Sequence, residues 1–103
     1  MTYNKYGNRK TEVDGFTFDS RREANRYLEL KLAERSGQIS NLELQPRFDL
    51  IVNGMKCGFY KADFRYREGE KTITEDAKGM KTDVYSLKKK LVKAIYGIEI
   101  VEV

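Results

Sequence analysis

The stretch GFYKADFRYREGEKTITEDAK, residues 58–78, decides how this chain is read. Each half alternates with the period of a strand, and Arg67-Glu68-Gly69-Glu70 supplies a turn between them. In the first half Tyr60, Ala62, Phe64 and Tyr66 share one face, and Lys61, Asp63 and Arg65 share the other. In the second half Ile73, Glu75 and Ala77 oppose Thr74, Asp76 and Lys78. If the two strands are antiparallel neighbours, Asp63 and Asp76 converge. Two close carboxylates repel, and one is driven towards protonation unless a cation bridges them. A Mg²⁺ ion takes one or two carboxylates together with waters and phosphate oxygens. Lys78, one pleat beyond Asp76, then lies within reach of a metal-bound water or a phosphate.

Outward from this stretch the elements follow local signals. TEVDGFTF, residues 11–18, reads as a hairpin closed by Asp14-Gly15, which suits a type I′ turn. A helix is predicted from Ser20 to about Ser36, with Gly37 as its left-handed stop and Ala24, Tyr27, Leu28 and Leu32 as its apolar face. Leu42, Leu44, Phe48, Leu50 and Val52 share one strand parity; Pro46 interrupts that ladder and predicts an edge position or a bulge. Asn53-Gly54 marks another turn. After Lys78 a second helix is predicted from about Asp83 to Tyr96, ended by Gly97, with Val84, Leu87, Leu91, Ala94 and Ile95 as its buried stripe. IEIVEV closes the sequence as a strand. The fold class is therefore α/β: a mixed sheet with helices in the order α-β-β-β-α-β after an N-terminal hairpin. One domain is expected over residues 1–103, with residues 1–8 polar and expected to fray.

Composition narrows the chemistry. With 40% hydrophobic and 35% charged residues the chain reads as a globular domain. No apolar run approaches the roughly 20 residues of a membrane span, and no secretory signal is apparent. A single cysteine, Cys57, excludes an internal disulfide and fits a reducing cytoplasm. There is no histidine, which removes Ser–His triads and His-based zinc sites. Neither GxGxxG nor GxxxxGK[ST] occurs, so no nucleotide cradle is supported. Any catalysis here is expected to rest on carboxylates, lysines and a hard cation. The net charge is +4, and from Lys78 to Lys93 six lysines stand against one acid, Asp83. That local excess, with Tyr85 and Tyr96 interleaved, favours a polyanionic partner.

YKADF followed by EDAKG resembles the PD-(D/E)xK signature of the restriction-endonuclease-like nuclease superfamily, whose core has this order of elements. NKYGNRKTEVDGFTFDSRREANRY, LELQPRFDL and YSLKKKLVKAIYGIEI resemble a narrower family of small phage and prophage proteins placed in that superfamily. The resemblance spans nearly the whole chain. It implies that Asp63 and Asp76 are catalytic metal ligands, with the Ala77 backbone carbonyl a third, and that Lys78 activates or orients the attacking water. Glu23 matches an acid that many such nucleases add to the metal site. Gln45 resembles a glutamine preceding the catalytic strand, and Lys88 stands where members carry a basic residue near the phosphate. Ala62 replaces the signature proline, which carries no chemistry there.

Each assignment has a plainer rival. Asp76 and Lys78 could be a solvent-face pair. The choice between Glu75 and Asp76 rests on parity, which a β-bulge would reverse. Ser20-x-x-Glu23 is also a capping box. Gln45 could satisfy a backbone group at the Pro46 bulge, and the lysines could be a solvated helix face. The expected function is a Mg²⁺- or Mn²⁺-dependent DNA endonuclease that hydrolyses phosphodiester bonds in phage DNA metabolism. It would be selective for branched or recombining DNA, because no module for reading base sequence is visible. Lys61, Arg65, Lys81, Lys88, Lys89, Lys93 and Gln45 are the expected DNA contacts. A homodimer would suit duplex or junction cleavage, alongside phage replication or recombination proteins. The alternative is an inactive nucleic-acid-binding or adaptor protein on the nuclease fold; a third reading is a phage assembly or regulatory protein, independent of divalent metal.

Overall fold

The computed structural model describes residues 10–77 and 81–103. The expectation for residues 1–8 therefore lies outside the described residues, and so does Lys78. A hairpin of β1 (Thr11–Val13) and β2 (Phe16–Phe18) leads into α1 (Arg21–Arg35). Asp14 and Gly15 both take positive φ, 53° and 80°, which closes the hairpin with the expected turn. Ser20 caps α1 by accepting the Glu23 N–H, and Gly37 follows it at φ 83°.

Five strands follow: β3 (Ser40–Leu44), β4 (Arg47–Val52), β5 (Met55–Lys61), β6 (Phe64–Glu68) and β7 (Lys71–Asp76). Then come α2 (Asp83–Tyr96), stopped by Gly97 at φ 70°, and β8 (Ile100–Glu102). Among the described residues the main sheet has the order β3-β6-β7-β8, and β4 pairs with β5 in a separate ribbon. β7 and β8 are parallel. Parallel neighbours need the chain to return along the sheet, and α2 makes that return. The architecture is a mixed α/β fold with an N-terminal hairpin, as the sequence predicts. Among the described residues no helix is long and apolar enough to cross a membrane.

The strands depart from the predicted pattern at one place. The interruption expected at Pro46 is present, between β3 and β4, but the strand expected to run unbroken over residues 58–67 also ends, at Ala62-Asp63. Gln45 adopts φ 53°, and the breaks are stitched by Gln45 N–H to Asp63 O and Ala62 N–H to Pro46 O. The break turns one parity into two faces. Leu42, Leu44, Phe64 and Tyr66 pack with Phe18, Ala24, Tyr27 and Leu30 under α1. Phe48, Leu50, Tyr60 and Ala62 pack with Tyr85, Val92 and Ile100 under α2. Val52, expected to share that face, is exposed. So the chain crosses from one core to the other at Ala62-Asp63.

The helix faces are also rotated from the predicted ones. On α1 Leu28 and Leu32 are exposed, while Glu23, Ala24, Tyr27 and Leu30 face inward. On α2 Val84 and Leu87 are 63% and 58% exposed, and Ala94 is exposed as well. Tyr85 and Val92 take their place, with Leu91 and Ile95 half-buried. On α2 the polar Tyr85 side chain turns inward because its hydroxyl has a partner there, the Glu102 carboxylate.

Candidate metal and nucleic-acid site

The site begins where the β6–β7 ladder ends. Phe64 is registered opposite Glu75, so one step further Asp63 and Asp76 face each other at the end of the pair. The Asp63 N–H donates to Glu75 O at 3.1 Å and to Asp76 Oδ1 at 2.9 Å. In return Asp63 Oδ2 accepts the Ala77 N–H at 2.7 Å. Asp76 thus holds the backbone of Asp63, and Asp63 holds that of Ala77, the residue after Asp76. Charge-assisted bonds of this kind are among the stronger ones in proteins. Asp76 is fully buried and Asp63 half-buried. Gln45 lies beside them through its backbone bond to Asp63 O.

Glu75 points the other way. Its carboxylate, also fully buried, receives Arg26 Nε at 2.6 Å, Arg26 Nη2 at 3.0 Å and the Tyr66 hydroxyl at 2.7 Å. Burial and the bond to Glu75 push the Tyr66 phenol up to about 12. The bond to Glu75 also raises the Arg26 guanidinium above its already high range. The two adjacent acids therefore have different surroundings: Glu75 is locked to α1, and Asp76 faces Asp63. Glu23, one turn before Arg26 on α1, is buried. Among the described residues no three Asp or Glu side chains form a ready-made cation cage, so Glu23 does not complete one with Asp63 and Asp76.

The profile of the DUF1064 family, described as proteins of unknown function, matches residues 3–100. The chain belongs to the DUF1064 family. No curated protein and no solved structure matches it.

The DUF1064 chain carries a further acid in the row, one that sequence reasoning missed. Parallel pairing registers Asp76 with Glu102 on β8. Glu102 accepts the Tyr85 hydroxyl at 2.7 Å and pairs with Lys81 at 2.9 Å and Lys89 at 3.4 Å. Burial and the bond to Glu102 raise the Tyr85 phenol well above its usual range, and the charges of Asp76 and Asp63 push it the same way. Alternation alone puts Ile100 and Glu102 on one face of IEIVEV. Only the β7–β8 register shows that this face continues the Asp63–Asp76 line.

The remaining predicted DNA contacts are distributed as follows. Lys93 pairs with Glu99 at 3.0 Å, and Arg65 pairs with Glu43 while its guanidinium lies 5.6 Å from the Phe48 ring. Lys88 Nζ lies 5.4 Å from the Phe59 ring. Lys61 is exposed and has no ion pair among the described residues.

Glu102 gives a pH signature. The Lys81 bond, then those of Tyr85 and Lys89, hold its carboxyl down from 4.5 to about 2. A carboxyl whose folded value is depressed adds stability above its unfolded value and loses it as the pH falls through the folded one. Acid titration of the wild type, followed by circular dichroism, should therefore show stability declining from about pH 4.5 to pH 2. Glu102→Gln should flatten that limb. An unchanged acid limb in the variant would show that Glu102 is not a stabilising partner.

Proposed function

We propose that this protein is a divalent-metal-dependent DNA endonuclease with a restriction-endonuclease-like core, acting in the cytoplasm of a phage-infected host. The observation that carries the reading is the reciprocal clasp of Asp63 and Asp76, which presents two carboxylates at one end of the β6–β7 pair. Its donor chemistry fits Mg²⁺ or Mn²⁺: hard oxygens only, from Asp63, Asp76 and the Ala77 carbonyl, with no sulfur or imidazole. One oxygen of each carboxylate is oriented by a backbone N–H, which fixes both groups at the strand end. When bound, such an ion lowers the pKa of coordinated water and offsets charge on the phosphate.

The chain's own residues supply the rest. Lys78, two positions after Asp76 in the sequence, is assigned the role of cationic donor to the attacked phosphate. Lys81 and Lys89 stand beside the row of acids, held by Glu102. Both ammonium groups keep solvent contact and their ion pairs are screened by water, so a DNA phosphate can compete for them. Sequence-independent contacts of this kind suit branched or recombining DNA, and binding to it should weaken steeply with salt. A homodimer would place two such sites on one junction, with phage replication or recombination proteins as partners.

Incubating the protein with plasmid and branched DNA tests this directly. Cleavage is expected with Mn²⁺ or Mg²⁺ and none with a chelator. Salt-sensitive binding without any cleavage would replace the nuclease reading with that of an adaptor on the same fold.

A further inference from the structure

We infer that the β4–β5 ribbon carries a stacking platform for unpaired DNA, built on Phe59 and Arg47, beside the Asp63–Asp76 site. Phe59 keeps 38% of its surface exposed. The Arg47 guanidinium lies over that ring at 4.1 Å, and the Lys88 ammonium reaches it from α2 at 5.4 Å. Register puts Arg47 opposite Lys61 and Phe59 opposite Asp49, so all four side chains share one face of the ribbon. Asp49 is the acid present there. It pairs with Arg47 at 3.1 Å and Lys56 at 3.6 Å, with both partners about half exposed. Four cations therefore surround one carboxylate and one exposed aromatic ring.

That combination selects a ligand with flat faces and negative charge. A nucleobase stacks on an aromatic ring or a guanidinium plane, and its phosphates meet the surrounding lysines. In a duplex those faces are covered by neighbouring bases, so the platform distinguishes unpaired from paired DNA. Position ties it to the candidate site. Lys61 lies two residues before Asp63, and four extended residues span at most roughly 14 Å from Phe59 to Asp63. A strand leaving the acidic pair can reach the ring within a few nucleotides. The inference deepens the nuclease reading and rests on it in naming the bound strand as substrate: DNA with a single-stranded segment or a flipped base beside the cut.

Fluorescence anisotropy in the presence of a chelator tests the platform without catalysis. The probes are a labelled single-stranded oligonucleotide and the duplex of the same sequence. Phe59→Leu, which keeps an apolar side chain but no ring, should weaken single-strand binding roughly 10-fold or more while changing duplex binding little. Phe59→Trp should restore it, and circular dichroism should show both variants folded. Equal losses on both probes, or no loss on the single strand, would overturn the platform. Asp63→Asn separates the two readings: cleavage untouched by it removes the nuclease reading, whereas a chelator-insensitive loss caused by Phe59→Leu concerns the platform alone.

Discussion

Asp63→Asn is expected to lower DNA cleavage by roughly two to three orders of magnitude, with little loss of fold. The amide is nearly isosteric, and its oxygen can still accept the Ala77 N–H that Asp63 Oδ2 accepts at 2.7 Å. The backbone clasp survives, then, while the charge that attracts a cation does not. Asp76→Asn should have the same effect on cleavage, since its Oδ1 bond to the Asp63 N–H can likewise be kept by an amide oxygen. Combining the two should be far less than additive, because both remove the same cation. Thermal melting supplies a readout independent of turnover. A ligand at about 100 times its Kd stabilises the folded state by about 2.7 kcal/mol. For a domain of this size that is a shift of roughly 10–20 °C. Mn²⁺ should raise the wild-type melting temperature and leave both Asn variants where they were. Equal Mn²⁺ shifts in all three proteins would place any cation elsewhere.

The parts of this molecule visible in its sequence are those set by neighbours along the chain. Asp14-Gly15 and Asn53-Gly54 take the positive φ values of tight hairpin turns, and Gly97 ends α2 at Tyr96. Each depends on sterics within a few residues, so a local reading suffices. Pro46 likewise announces an interruption, because it cannot donate to a ladder. Nothing comparable marks Ala62-Asp63. The alternation from Tyr60 to Tyr66 continues unbroken in the sequence, although Tyr60 and Ala62 belong to the core under α2 and Phe64 and Tyr66 to the core under α1. Parity describes a flat strand and cannot see a bend imposed from the partner strand, where Gln45 turns at φ 53°.

The candidate site shows the same division. That Asp63 and Asp76 share a location follows from alternation and one short turn, and the register places them together. That Glu75 belongs to another network does not follow, since its partner Arg26 lies 49 residues away. Apolar periodicity misjudged both helices for a related reason. It counts Leu28 and Val84 as core and discounts Tyr85, whereas a polar group with a distant partner, here Glu102, can be buried at lower cost than its type suggests. Glu102 was invisible for want of the β7–β8 register, which only the crossover through α2 determines.

The network around Glu75 should be where the fold is most easily broken. Glu75 is 0% exposed, and Arg26 keeps 28% of its side chain in contact with solvent. That asymmetry decides which half of the pair can be removed. Arg26→Ala strands a carboxylate that cannot reach water, leaving only the Tyr66 hydroxyl to support it. Breaking a buried pair in this way costs about 3–5 kcal/mol, which in a domain this small lowers the melting temperature by roughly 15 °C or more. Glu75→Gln should cost clearly less, because Arg26 is left with its charge but can turn towards solvent and towards Glu29, already 3.3 Å away. Replacing both with leucine should recover much of the loss, since apolar residues of similar volume often match or exceed a buried ion pair. Urea denaturation of the four proteins would measure this order. If Arg26→Ala proved no worse than Glu75→Gln, the buried charge would not be the source of the cost. If the double leucine variant were the least stable, the pair itself would be holding α1 to the sheet. In either case cleavage should fall with stability rather than ahead of it, because Glu75 lies on the face away from Asp63 and acts on Asp76 only through the strand they share.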